Sequence, residues 1–508
     1  MKPLRSVIVL GGGTAGFLAA AALRTKMPDL PVRLIRSKDI GIIGVGEGTT
    51  VGIQGHLFSY LKQDIAEFYR EVKPIWKLGI HYIWGSRPSF NFTFAQNMTL
   101  PTPLPRALGY YCHADMSSTS LESALISQKR AFRRDPKTGL PYINRCHAYH
   151  LENRIFVEYL EKVARRLGVD IVEDKVIGVE QGEQGVERLR MESGRIETAD
   201  LFVDCSGFAS ELLGKAMAEP YDSYRSSLFC DRAVVGGWKR GLGELIQPYT
   251  TAETMDAGWS WRIDHEHQIN RGYVYSSSFI SDEEAETEFR RKNPKVQQTR
   301  MVKFRSGRYQ RSWVKNVVAI GNAGGFVEPL EATAINAICE QTVALASGLS
   351  VNRRFGPKLI STYCARDARH WDAIRRFLAV HYKFNTRLDT QFWREARQST
   401  DLAGAEELVD YYLENGPDPM WAETLVDIHD QFGIEGYLTM LVGQQVPYRH
   451  QHQTTPAEEP ALHQLREQNR RTAAAGYHAE HALTITRMPH WQWDRQSFGS
   501  GDMVAKAS

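Results

Sequence analysis

Ser6-Val-Ile-Val-Leu10, followed by Gly11-Gly-Gly-Thr-Ala-Gly-Phe-Leu-Ala-Ala20, is the stretch whose reading decides the fold. Behind Lys2 and Arg5, residues 6 to 23 are apolar enough to imitate a secretory leader. Three consecutive glycines argue against that, because each costs a helix interior about 1 kcal/mol relative to alanine. A strand reading explains more: a short β-branched run, the turn Gly11-x-Gly13-x-x-Gly16, and a helix from Phe17 to Leu23. The first glycine permits the turn, the second lets a pyrophosphate approach the backbone, and the third lets helix pack on strand. With Thr14 and Ala15 they form a predicted cofactor-binding turn whose anion sits at the helix N-terminus.

Further along, Val32 to Ile35 reads as the second parallel strand. A dinucleotide fold ends that strand on an acid for the ribose; here Arg36 takes the place, to reach a phosphate or stack on adenine. Gly41 to Thr50 (GIIGVGEGTT) is too glycine-rich for a helix or central strand and reads as a loop against the cofactor. Asp64 to Gly79 reads as an amphipathic helix interrupted at Pro74, and residues 85 to 145 as an irregular insertion. A helix closes on Gly168, the strand Val169 to Val172 follows, and Ala199 to Gly207 repeats the opening pattern, a buried strand running into a small-residue turn with Ser206 and Gly207. Residues 225 to 310 alternate as in an antiparallel sheet, and Val317 to Ile320 enters Gly321 to Glu331, after which helices dominate.

Three strand-then-glycine stations, at 6 to 16, 201 to 207 and 317 to 325, predict an α/β fold. It is an FAD-binding, Rossmann-like fold of the glutathione-reductase type, with a mixed β-sheet and a helical C-terminal part. Strand ends far apart in sequence would converge on one FAD. The expected division is an FAD-binding box at 1–345 with an interleaved antiparallel sheet and insertion, a helical region at 346–495, and a flexible tail at 496–508. No second GxGxxG unit for a nicotinamide is present, so reduced flavin is expected from a separate reductase.

Composition narrows the class. Hydrophobic residues at 42% and charged residues at 24% suggest neither disorder nor a membrane protein, and a net charge of +3 without single-sign blocks argues against nucleic acid. Six cysteines with no CxxC fit a cytoplasmic protein with free thiols. The histidine clusters His265/His267, His147/His150 and His450/His452 lack the partner ligands of a zinc module, so no metal is expected.

The residues now in view resemble the flavin-dependent halogenases of the tryptophan halogenase family. The similarity runs from GGGTAGFLAA through GVGEGTT, KLGI, DCSG, WSWRI and GNAGGFVEPLEAT to HYKFNTRLDTQFW, ending at Trp393. It implies an enzyme whose helical C-terminal part, here 346–495, is the substrate-binding region, and in which reduced FAD, oxygen and a halide, chloride or bromide, generate hypohalous acid. The acid then passes through a tunnel to a lysine beside an electron-rich aromatic such as an indole or phenol. Lys77 stands where the family keeps that lysine, and an ammonium there would polarise hypohalous acid or an amine would carry the halogen as a haloamine. Glu331 matches the family's acid near the substrate, suited to stabilise a cationic intermediate and take its proton. Thr333 and Ala334 occupy the halide-binding place, Ala334 in place of the usual glycine and Ala332 in place of a serine. Glu47 matches a position beside FAD, and Val176 is expected to lend its backbone to adenine. Trp259, Trp261 and Ile263 match the motif along the flavin tunnel, but Asp264 replaces its closing proline, which alters a turn or loosens the barrier between substrate and flavin. Two alternatives stand beside halogenation: a flavin-dependent monooxygenase or oxidoreductase of the same fold, and a flavin-binding protein without the chemistry.

Overall fold

The computed structural model describes residues 2–41, 46–95, 98 and 103–493. Ile42 to Val45 of the glycine-rich loop and the tail at 496–508 therefore lie outside the described residues. The chain forms two compact units, Met1–Lys73 with Leu151–Tyr224 and Phe304–Asp372, and Pro74–His150 with Arg225–Lys303 and Ala373–Ser508.

Six strands form the main sheet of the first unit, in the order Trp313–Val314, Val317–Ala319, Leu201–Asp204, Val7–Leu10, Val32–Arg36, Asp170–Glu173. Every neighbouring pair is parallel except the first. Parallel strands need crossovers and cover on both faces. The sequence supplies both, since Val7–Leu10, Leu201–Asp204 and Val317–Ala319 are buried throughout. Helix Thr14–Lys26 makes the first crossover, and helix Ala334–Ser350 packs on it.

Register brings the glycine turns together. Leu10, Asp204 and Ala319 are level across three adjacent strands, so the turns after them leave the sheet at one edge. A Cβ added at Gly11 (φ 130°) would lie 2.2 Å from the Cys205 carbonyl oxygen, and one at Gly321 (φ 64°) would lie 3.2 Å from the Ala15 Cβ. The three stations are thus in contact, as their spacing predicted.

In the second unit a seven-stranded sheet runs Thr299–Lys303, Arg232–Lys239, Gln268–Tyr275, Gly258–Asp264, Thr250–Met255, Gly79–Ile83, Phe90–Thr93. All pairs are antiparallel except Thr250–Met255 with Gly79–Ile83. Helices Gln391–Ser399, Glu406–Asn415, Gly433–Gly443, Glu459–Ala474 and Ala479–Thr486 belong to the same unit. Among the described residues no helix is long and apolar enough to cross a membrane.

Three local expectations need correction. The helix expected over Asp64 to Gly79 is only Ile65–Val72, with the Asp64 carboxylate accepting the Glu67 N–H at 2.8 Å. Lys73 turns left-handed (φ 51°) ahead of Pro74, which bars the preceding residue from a helix, and the chain continues as strands Ile75–Lys77 and Gly79–Ile83. Within 85 to 145 lie the strand Phe90–Thr93 and helix Leu121–Ser127. The sheet expected over 225 to 310 is interrupted by helix Asp282–Lys292, started by a Ser281–Glu284 capping box and graded from three acids in its first turn to three bases in its last.

Candidate active site

The first unit presents an anion cradle. Helix Thr14–Lys26 begins at Gly13 with no side-chain cap and no acid in its first turn, so its leading N–H groups have no side-chain partner there. A Cβ at Gly13 would meet nothing within 4 Å, whereas one at Gly16 would lie 1.9 Å from the Gly11 carbonyl oxygen. Open space beside the second glycine and none beside the third is the pattern a pyrophosphate requires. The residues present therefore fit the flavin nucleotide.

Asp204 builds the second wall. Fully buried, its carboxylate accepts from the N–H groups of Ser206, Leu212 and Leu213 at 3.0, 2.8 and 2.9 Å, and from the Ser206 hydroxyl. These bonds fix the turn that carries Ser206 and Gly207, the latter at φ 66° with open space at its Cβ position. Glu47 accepts from Asn153 Nδ2 at 3.0 Å, and burial pushes its pKa above the usual carboxylate value. Val176 opens the strand Val176–Gly182, half-buried and opposite Met191. Arg36 makes a two-pronged pair with Glu161 (2.7 and 3.0 Å) and a further bond to Glu173 (3.0 Å). Its stem lies under the turn, where a Cβ at Gly12 would come 2.6 Å from the Arg36 Cβ. That close approach explains the middle glycine of the opening triplet, and any phosphate reached by Arg36 must compete with two carboxylates.

Glu331 closes the 3-10 turn Pro329–Glu331 and is buried, as is Glu328. Ala332 follows in the left-handed region (φ 55°), a conformation costing a non-glycine residue about 1–2 kcal/mol. Thr333 then starts the 17-residue helix Ala334–Ser350, which no side chain caps and whose first turn holds no acid. Glu331 and the amides proposed for halide thus come from one rigid turn-to-helix junction.

Sequence reasoning missed the support behind the third glycine station. The Gly321 N–H donates to Gln341 Oε1 at 2.8 Å, and Gln341 Nε2 donates to Asp367 Oδ1 at 2.8 Å. Burial pushes the Asp367 pKa up to about 6. The folded state therefore holds a proton that the unfolded chain has lost, and stability falls as pH rises from about 4 to about 6. Relative to the wild type, Asp367→Asn is expected to remove that decline, about 2–3 kcal/mol, with equilibrium denaturation across this window as the check. Only helical spacing (Gln341 on one helix, Asp367 on Pro357–Lys383) hinted at the relay, and spacing does not specify partners.

Lys77, in the second unit, ends the strand Ile75–Lys77 opposite Ala148 and is 0% exposed. Its Nζ lies 5.3 Å from the centre of the Phe94 ring, within cation–π range. His150, on the paired strand and also fully buried, donates from Nδ1 to the Asp264 carbonyl oxygen at 3.3 Å and accepts at Nε2 from the Thr250 hydroxyl at 2.9 Å. Burial first, and the Lys77 charge second, hold its pKa well below 6.5, so the imidazole stays neutral.

Asp264 is a hub rather than a loosened turn. Its carboxylate is fully buried and accepts from Arg262 Nε (2.8 Å) and Nη2 (3.2 Å) and from the Gln247 N–H (2.9 Å), with Arg240 Nη2 at 3.2 Å. Asp264 is the last residue of the strand Gly258–Asp264, directly ahead of the turn at 265–267. Asp264→Ala leaves two guanidinium groups uncompensated and is expected to cost about 3–5 kcal/mol, measurable by chemical denaturation. Trp259, Trp261 and Ile263 alternate onto one face of the strand, all buried. The Trp261 ring covers Gly272 on the next strand, where a Cβ would come within 2.0 Å of the ring. Among the described residues no group of three potential metal ligands occurs, and all six cysteines are free.

Comparison with known proteins agrees with this architecture. Residues 6–459 match the family model for tryptophan halogenase. The chain is 31% identical over 478 residues to the 7-chloro-L-tryptophan 6-halogenase KtzR of Kutzneria sp. (strain 744), covering 86% of this chain and 90% of KtzR. The structure of MibH, a lanthipeptide tryptophan 5-halogenase, superposes with a TM-score of 0.87 at 38% identity over 95% of this chain and 93% of that one. BrvH, a flavin-dependent halogenase from Brevundimonas sp. BAL3, gives a TM-score of 0.83 at 26% identity over 95% and 99% of the two chains.

Proposed function

From the premise that this chain belongs to the tryptophan halogenase family and is a flavin-dependent halogenase, we propose that it halogenates the indole ring of tryptophan, with Lys77 delivering the halogen and Glu331 taking the displaced proton. Reduced FAD from a separate reductase would, with oxygen and chloride or bromide, supply hypohalous acid. The uncapped start of helix Thr14–Lys26, with Gly11, Gly13, Thr14, Ala15 and Gly16, would hold its pyrophosphate, and Glu47, Val176, Ser206 and Gly207 would line the rest. Thr333 and Ala334 would hold the halide on the first amides of their helix. Trp259, Trp261 and Ile263 would wall the passage that keeps substrate from flavin.

The observation carrying this reading is a lysine with no solvent exposure, beside an aromatic face and a histidine kept neutral. A surface lysine has water to bond; a buried one is retained for chemistry or pairing. As an ammonium, Lys77 donates a hydrogen bond to the oxygen of hypohalous acid and makes the halogen electrophilic. As an amine it exchanges a hydrogen for the halogen and releases water, then passes the halogen on. Either way the ring gains halogen and loses a proton, which the Glu331 carboxylate accepts. The free thiols support a cytoplasmic setting. Protein, FAD, a flavin reductase, oxygen and bromide are expected to convert a tryptophan-bearing substrate to its monobromo product, identified by its isotope doublet in mass spectrometry. A product heavier by one oxygen, with no halogen, would instead indicate the monooxygenase reading.

A further inference from the structure

Between Arg397 and Arg449 the chain has ten Asp and Glu and no Lys or Arg, in a protein whose net charge is +3. This stretch also exposes large apolar side chains: Met420 (71%), Trp421 (63%), Ile428 (69%) and, at the end of helix Glu406–Asn415, Leu413 (37%). The Asp418 carboxylate ties the turn to that helix, accepting from the Met420 N–H at 3.0 Å and the Tyr411 hydroxyl at 2.9 Å. Glu406, Glu407, Asp410, Glu423 and Asp427 of the same stretch are exposed, and Arg449, whose N–H donates to the Leu413 carbonyl at 2.8 Å, pairs with Glu414 at 3.6 Å. Exposed apolar groups in a stretch where charge of one sign predominates mark an interaction surface, and the predominant sign identifies its partner.

We propose that this face docks a basic, apolar segment of another polypeptide. An anionic membrane or nucleic acid would be repelled by the carboxylates, whereas lysines flanking apolar residues would meet both features at once. The face belongs to the unit that carries Lys77 and is joined to it by one segment. Phe94 lies against Lys77, the Met98 N–H donates to Glu435 Oε2 at 2.9 Å, and the Tyr110 hydroxyl donates to the Asn415 carbonyl at 2.9 Å. We therefore assign it as a docking surface for a peptide that bears the tryptophan to be halogenated; this assignment, unlike the docking, rests on the proposed function.

The test uses the full chain loaded with FAD and a fluorescent peptide of lysine and leucine containing one tryptophan, with a glutamate-for-lysine peptide as its counterpart. Fluorescence anisotropy is expected to show salt-sensitive binding of the basic peptide alone, weakened ~10-fold or more by Trp421→Ser and by the pair Glu423→Lys and Asp427→Lys. Leu242→Ser, at an exposed leucine elsewhere, is expected to leave it unchanged. Equal binding of the acidic peptide, or no effect of either variant, overturns the proposal. So does dimerisation, or recruitment to anionic phosphatidylserine vesicles, that Trp421→Ser abolishes, since another occupant then covers the face. In turnover, Trp421→Ser is expected to raise KM for the basic peptide and leave kcat with free tryptophan unchanged. Binding without turnover of any indole would refute the proposed function and leave the docking standing.

Discussion

Lys77→Ala is expected to lower halogenation by on the order of 10²–10⁴-fold while flavin still binds. Nothing at position 77 could then polarise hypohalous acid or carry its halogen. Flavin binding should persist because the glycine turn, Glu47, Ser206 and Gly207 belong to the other unit. Lys77→Met fills more of the space left by a fully buried side chain and should fail equally, which separates lost chemistry from lost packing. Lys77→Arg separates the two routes: a guanidinium stays charged and can still donate to hypohalous acid but does not become a haloamine, so its failure is expected if the halogen is carried on the amine, and retained activity if it is only polarised. Single-turnover assays with reduced flavin, beside flavin titration of each variant, check the set.

The second large effect is expected at Gly16. A Cβ there would sit 1.9 Å from the Gly11 carbonyl oxygen and 3.0 Å from its carbonyl carbon, and backbone cannot step aside as a side chain can. Gly16→Ala should therefore part the turn from its helix, cost about 1–3 kcal/mol or more, and abolish flavin co-purification. Gly13→Ala separates the two roles. Its Cβ meets no protein atom within 4 Å, so the fold should survive with little change in melting temperature. The same methyl group takes space a pyrophosphate needs, and flavin affinity should fall. Equal loss of stability at both positions would mean that Gly13 serves the fold rather than the nucleotide.

How much of this was legible follows from the range of each interaction. The nucleotide fold was, because parallel strands buried on both faces are continuous apolar runs, and each runs into a glycine turn, at Gly11, Gly207 and Gly321, whose positive φ favours glycine. Lys77 and Glu331 were picked out by motif context alone, and nothing in their spacing announced burial. The break at Pro74 was legible too, but the strands beyond it were not, because apolar residues at helical intervals continue past the proline. The partners of Asp264 were not legible for another reason. Arg240 and Gln247 lie on a different segment, and a sequence does not reveal which distant guanidinium meets a buried carboxylate. Arg36 looked free for a phosphate for the same reason, since Glu161 and Glu173 are more than a hundred residues away.

Bromide incorporation by the wild type and by Lys77→Met, under identical single turnovers with reduced FAD, oxygen and a tryptophan-bearing substrate, is the most direct measurement. Monobrominated indole from the wild type, and none from a variant that still binds flavin, is the predicted result. Equal bromination by both proteins would contradict halogen delivery by the buried amine.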